Sequence, residues 1–271
     1  MQKSNSEGSK SPSVDEASRQ EVLGGFNYEA LELSVPEMLK RGVHFGHKKS
    51  RWNPKMKPYT FIVRNNIHII DLEKTAVLFE KALDYIEGIA ASGGKILFIG
   101  TKPQTRKLIE VVAHECEMPY VTHRWLGGTF TNYDVIKKRI KYLNDQELGK
   151  SRGDFEKFTK YEKSQLNKEI DKMNEKMGGI KTMDRMPQAV FVTDIKEDIL
   201  ALKESRKVKI PTIGIADTNT DPTLVDYPIP GNDDALSSLK YLLGLVVKRI
   251  KLAKKKAADE KKADAKNNSQ Q

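Results

Sequence analysis

Three short runs of almost wholly apolar residues constrain this chain more than any other feature: 94–101 (GKILFIGT), 189–194 (AVFVTD) and 211–217 (PTIGIAD). A strand with one face in water alternates polar and apolar residues. These runs do not, so each predicts a strand covered on both faces. The stretches between them carry helical spacing. Leu72, Ala76, Phe79, Leu83, Ile86 and Ala90 step by four and three; Leu108, Ile109, Val112 and Cys116 form a second stripe from Thr105, and Ile199 with Leu202 a third. A last helix opens at Asn232-Asp233-Asp234 and carries Leu236, Leu239, Leu243, Val246, Ile250 and Ala253. Residues 66–71 (NIHIID) and 119–123 (PYVTH) read as further strands, and Ser34-Val35-Pro36-Glu37 as a helix start, with Ser34 as cap and Glu37 completing a capping box. Strands alternating with helices predict an α/β fold with a parallel sheet and helices on both faces.

One segment breaks the pattern. Residues 137–176 hold 12 basic and 8 acidic side chains and no strand signal. Ile136, Ile140 and Leu143 make one narrow stripe and Leu166, Ile170, Met173 and Met177 another, with Gly149 and Gly153 between them. Narrow stripes on charged helices predict a coiled-coil hairpin, each helix extending roughly 25 to 30 Å at about 1.5 Å per residue. The expected organisation is therefore an N-terminal extension over 1–33, an α/β/α domain from 34–130 and 182–250, a hairpin insertion over 131–181, and a basic tail over 251–271. Both ends are polar and lack periodicity, which predicts disorder there, apart from a short helix expected near Tyr28 to Leu33.

The formal net charge is +10, from 47 basic against 37 acidic residues, and it is clustered. Lys48, Lys49, Arg51, Lys55, Lys57 and Arg64 occur with no acid among them, interleaved with Trp52, Tyr59 and Phe61. Cations alternating with aromatics suit a phosphate backbone with stacking platforms, and Pro54 and Pro58 predict a loop with no regular element. The alternative is a merely solvated loop. One cysteine, Cys116, excludes an intramolecular disulfide and a multi-thiolate zinc site. No apolar run nears the ~20 residues of a membrane span, and the first 33 residues hold six acids against three bases, unlike a transit peptide. A soluble, cytoplasmic protein is expected.

Open α/β sheets bind ligands at the carboxyl ends of their strands, so enzyme chemistry would belong there. No G-x-G-x-x-G occurs, Gly94-Lys95 leads into a strand where a Walker motif needs a helix, and His114-Glu115 lacks the second histidine of a zincin. Asp194 and Asp217 end adjacent strands, where they either hold a divalent cation or cap the turns that follow. His44 and His47 have no third ligand nearby in sequence, which favours turn packing or a phosphate contact. Arg124 and Trp125, before Gly127-Gly128, offer a charge and a plane, although Trp125 equally suits the core.

Eight blocks in order resemble the bacterial ribosomal protein S-two family of the small subunit: GVHFGH (42–47), RWNPKMKP (51–58), HIIDL (68–72), 94–102, HRWLGGT (123–129), GGIK (178–181), DTNTDP (217–222) and IPGNDDA (229–235). The resemblance spans about residues 34–250. It implies a flavodoxin-like three-layer α/β/α sandwich with an inserted coiled-coil hairpin, no catalysis and no small-molecule substrate. It further implies a seat at the head–body junction, contacts with small-subunit ribosomal RNA and other small-subunit proteins, and help in seating ribosomal protein S-one. A metal near the strand ends is reported for some members. The RNA-contact candidates are Lys48, Lys49, Arg51, Lys55, Lys57, Arg64, Arg124, Lys137, Lys138 and Arg139, with Trp52 and Trp125 as stacking or packing partners. Two rivals make other predictions. A nucleotide or sugar-phosphate enzyme needs a closed pocket over Thr101, Asp194 and Asp217, and a coiled-coil adaptor leaves the basic loop without a purpose.

Overall fold

The structure, a computed structural model, describes residues 28–268, with side chains as far as residue 259. Residues 1–27, most of the expected extension, lie outside the described residues. Five parallel strands form the central sheet: β4 (Ile96–Ile99), β5 (Tyr120–Val121), β6 (Ala189–Val192), β7 (Thr212–Ala216) and β8 (Tyr227–Pro230), in the order β5-β4-β6-β7-β8. The apolar runs behave as expected of doubly covered strands. Alternate residues feed two cores: Ile96, Phe98, Phe191, Ile213 and Ile229 on one face, Leu97, Ile99, Val190 and Val192 on the other.

The first face is covered by α2 (Leu72–Ala91), α3 (Pro103–Cys116) and α7 (Leu236–Asn268), the second by α6 (Ile199–Lys207) and the root of a helical hairpin. The hairpin consists of α4 (Tyr133–Ser151) and α5 (Lys160–Met177), whose buried residues include Ile136, Ile140, Leu143, Ile170 and Met177. Thr159 caps α5 and forms a capping box with Glu162. Where α5 returns to the domain, a Cβ on Gly179 would lie 2.2 Å from the Tyr120 carbonyl oxygen, so only glycine permits this approach. The result is a three-layer sandwich with a helical insert.

The structure departs from the sequence reading in five places. Residues 66–71 do not join the parallel sheet; β3 (Ile67–Ile70) is the centre of a separate antiparallel sheet, between β1 (Phe45–Lys48) and β2 (Thr60–Arg64). Strand β2 lies in the stretch expected to be irregular. Pro54 and Pro58 are absorbed by a 3-10 helix (Pro54–Tyr59), after which the aromatic and β-branched run TFIVR extends. The hairpin turn Asn65-Asn66 has positive φ at both residues, as a type I′ turn requires. Helix α1 (Val35–Lys40) starts where expected, but no capping box forms; the Ser34 backbone N–H donates to the Tyr241 hydroxyl instead. The sequence pattern does not signal strand β8, because Pro228 and Pro230 hide it. It is the edge of the sheet, where proline is tolerated.

The fifth departure concerns the chain ends. Leu31 is buried, its carbonyl oxygen accepts from Lys248 Nζ (2.7 Å), and that of Glu32 accepts from the Tyr241 hydroxyl (2.7 Å). Residues 28–33 thus pack on α7. That helix itself continues past residue 250: Ala253 is buried, Lys251 pairs with Glu115, and Lys254 with Glu117 at 2.9 Å. Composition at both ends suggests disorder, but hydrogen bonds hold residues 28–33, including a 3-10 helix (Tyr28–Ala30) within the short helix expected there, and long-range ion pairs hold the start of the tail.

Candidate nucleic-acid interface

The basic loop is fixed by its uncharged members. Met56 is fully buried, Asn53 Oδ1 accepts from the Lys55 backbone N–H (3.0 Å), and the Asn53 N–H donates to the Thr218 carbonyl oxygen (2.8 Å). Trp52 stacks on His68, rings 5.2 Å apart and 11° from parallel. Burial, then the Lys49 charge, holds the His68 imidazole below its ordinary pKa, so a neutral ring faces Trp52. With the loop anchored at these points, Lys48, Lys49, Arg51, Lys57 and Arg64 are all exposed, and none has an ion-pair partner among the described residues. Lys55 differs: its Nζ lies 2.6 Å from Asp221 Oδ2, so much of its charge is answered within the protein.

On α4, Lys137, Lys138 and Arg139 are exposed and also lack ion-pair partners among the described residues. They do not form one patch. Lys137 and Lys138 line a groove of about 590 Å³ with Lys141, Asp134, Asp184 and a Lys181 already paired with Glu147, whereas Arg139 lines the next groove with Lys168, Lys172, Lys176 and Glu169, so lysine and arginine outnumber acids in both. Arg124 is exposed on the loop after β5. A phosphate backbone would meet concave, cationic surfaces on the arm and a cationic loop on the domain.

The carboxyl ends of the parallel strands hold charges of a different kind. Lys102 Nζ sits 2.5 Å from Asp194, 3.0 Å from Asp233 and 2.9 Å from Asp234. Burial works against its ammonium, but Asp233, Asp194 and Asp234 outweigh that and raise the Lys102 pKa. Asp194 Oδ1 accepts from the Lys196 and Glu197 backbone N–H groups (2.7 and 3.1 Å), which is the turn-capping alternative. Asp217 Oδ2 lies 3.0 Å from His47 Nδ1. The hydrogen bond to Asp217 raises the His47 pKa against the effect of burial. Asp194 and Asp217 are thus turned to different partners and do not form the pair suggested by sequence. Among the described residues, the set with donor atoms close enough for a cation is His47, Asp217 and Asp234, all within 4.8 Å of one another.

The sandwich and its inserted arm agree with the comparisons. The profile of the family described as ribosomal protein S2 matches residues 38–253. A small ribosomal subunit protein uS2 from Roseiflexus sp. (strain RS-1) is 49% identical over 210 residues, covering 78% of this chain and 80% of the relative. The protein of that name from Bdellovibrio bacteriovorus is 46% identical over 215 residues, 79% of this chain and 69% of the relative. The chain belongs to the ribosomal protein S2 family. Membership of this structural, non-enzymatic family removes the enzyme rival, and no described helix is long and apolar enough to cross a membrane.

Within this S2-family fold, two residues take roles the sequence did not settle. Trp125 is 6% exposed and packs edge-on to Phe130, with ring centroids 5.0 Å apart. A base needs an open ring face, so Trp125 is a core residue and not a stacking platform. Its Nε1–H donates to Glu204, a residue that sequence reasoning missed. Buried on α6, Glu204 accepts five hydrogen bonds, from Trp125 Nε1, the N–H groups of Gly128, Phe130 and Thr131, and the Thr131 hydroxyl, at 2.8 to 3.4 Å. Burial opposes ionisation there, but these donors hold its carboxyl below the ordinary range. One carboxylate thereby fixes the loop that leads into the arm. Nothing in the spacing of Glu204 distinguishes it from a surface glutamate.

Proposed function

We propose that this chain, a structural constituent of the small ribosomal subunit by its family, binds ribosomal RNA through phosphate contacts from its basic loop and arm. Lys48, Lys49, Arg51 and Lys57 supply the loop contacts, with Arg124, Lys137, Lys138 and Arg139 as further contacts. The observation that carries this reading is the loop itself: five cations in the ten residues 48–57 without an acid, anchored at Met56 and Asn53, with all but Lys55 lacking an ion-pair partner among the described residues. Paired surface charge stabilises the protein that bears it. Unpaired charge of one sign repels itself and gains its value from a polyanion. Direct base reading is not part of the proposal: phosphate contacts need only exposed cations, and those are what the loop and arm present.

A seat at the head–body junction and help in seating ribosomal protein S-one belong to the same reading, and rest on the family resemblance. The test is the salt dependence of binding to small-subunit ribosomal RNA. Replacing Lys48, Lys49 and Arg51 together with Ala should lower the slope of log affinity against log salt by roughly two to three units, at about 0.7 to 0.9 per phosphate contact. A slope equal to that of the unaltered chain would overturn the assignment.

A further inference from the structure

The small antiparallel sheet has two edges, and they are treated differently. Strand β1 is sealed: the His47 N–H donates to Thr218 Oγ1 (2.8 Å), and a Cβ on Gly46 would lie 2.4 Å from Thr218 Cγ2. Strand β2 pairs only with β3, and its outer edge pairs with no strand among the described residues. Proteins guard such edges with lysine, proline or a bulge. Here the register break lies at the Thr60 end and the one charge, Arg64, at the other. Between them Phe61 is 74% exposed, Ile62 55% and Val63 40%.

Pairing places specific side chains side by side, because directly opposite residues of an antiparallel ladder share a face. Phe45 opposes Ile69 and Ile69 opposes Ile62, giving an apolar row across all three strands that ends at the bare edge. One pleat further on, Lys48 and Arg64 both oppose Ile67, giving a parallel row with a cation at each end. From His44 to Ile70 the sequence contains no carboxylate. A fourth strand on this edge would therefore meet an apolar position and, two residues along on the same face, a guanidinium.

We infer that the β2 edge is a docking site for an extended segment of another small-subunit protein, which adds as a fourth strand and carries an apolar residue and a carboxylate two positions apart. Main-chain groups of β2 supply affinity, and the two rows supply selection by side chain. At the bare edge the row ends in Ile69 and Ile62, which offer nothing to a phosphate, and an unpaired strand edge is matched by another polypeptide main chain.

The test incorporates a photoreactive residue, Phe61→p-benzoylphenylalanine, into the full chain, assembles it into small subunits, irradiates them and maps the adduct by mass spectrometry. The expected adduct lies in another small-subunit protein, in a segment with an apolar residue and Asp or Glu two apart. Its yield should fall at least fivefold with Arg64→Glu or with Ile62→Lys. Ile62 lies on an exposed edge, and should Ile62→Lys fail to fold, Arg64→Glu carries the same test. An adduct to RNA, to a second copy or to a segment without that pattern would overturn the inference, as would no adduct or a yield indifferent to Arg64→Glu. The inference stands apart from RNA binding: a normal salt slope in the triple loop variant sinks only the RNA reading, and a missing adduct sinks only this one.

Discussion

Basic residues in this protein fall into two populations, and the contrast shows how a net charge of +10 is deployed. In the first, each cation lies on an acid or a carbonyl oxygen. Lys102 is surrounded by Asp194, Asp233 and Asp234; Arg249 reaches Glu80, Asp84 and Glu87; Lys254 reaches Glu117 and the Cys116 carbonyl oxygen. These cations join elements far apart in sequence. In the second population, Lys48, Lys49, Arg51 and Lys57 stand on an anchored loop with no such partner among the described residues. Removing a member of the first should cost folding stability, and removing members of the second should cost binding and leave the fold intact.

Lys102→Met should show the largest effect. It strands buried carboxylates, and a buried charge without its partner costs about 3 to 5 kcal/mol. Urea unfolding at pH 8 should register most of that loss. A loss under about 1 kcal/mol at pH 8 would erase the distinction between the populations. Glu204→Gln comes next. It removes an ionised acceptor from five donors and replaces part of it with an NH₂ that cannot accept, at an expected cost of about 2 to 3 kcal/mol. Increased hydrogen exchange at the Gly128, Phe130 and Thr131 amides would locate the damage at the root of the arm; unchanged exchange would remove Glu204 from that role.

How far the sequence foretold these features depended on whether a feature is periodic. The runs 94–101, 189–194 and 211–217 needed no tertiary information, because an all-apolar strand has one stable setting, between two layers. The arm was legible for the same reason, from the stripes of Ile136, Ile140, Leu143, Ile170 and Met177. Strand β2 was hidden by the prolines before it. Helix α7 was cut short because Lys251 and Lys254 look like tail charges until Glu115 and Glu117, some 136 and 137 positions away, are brought beside them. At the strand ends the residue types were legible and the pairing was not. Whether Asp194 faces Asp217 or Lys102 depends on side-chain direction across three loops, which no local pattern encodes.

The pH dependence of folding sharpens the comparison further. Burial raises Asp198 to about 7, with Thr101 opposing and the Asp194 and Glu197 charges reinforcing the rise. Asp233 and His47 are raised as well. A group raised in the folded state contributes stability that is full below its unfolded pKa and is lost as pH climbs through the folded value. All three therefore act in one direction: stability falls from about pH 5 to pH 8.5. Carboxylates held low by partners, such as Glu117 and Glu204, are ionised in both states across that window and alter stability only below it. Asp198→Asn keeps an acceptor for the Thr101 hydroxyl and removes one titration, so its stability profile should be flatter between pH 5 and 8.5. An equally steep profile would mean that Asp198 does not titrate there.

The smallest expected effect is the most discriminating. Joint replacement of Lys48, Lys49 and Arg51 with Ala leaves Met56, Asn53 and the Trp52–His68 stack in place, so the unfolding free energy should move by no more than about 0.5 kcal/mol. The sign should favour the variant at low salt, because three like charges cease to repel one another, and the gain should vanish as ionic strength rises. Denaturant titrations at two salt concentrations measure both quantities. A clear destabilisation would place these cations in the structural population after all, and any loss of RNA affinity in the variant would then report a damaged loop. A neutral or slightly stabilising result, beside a reduced salt slope, would mean that this loop's charge serves a surface outside the protein.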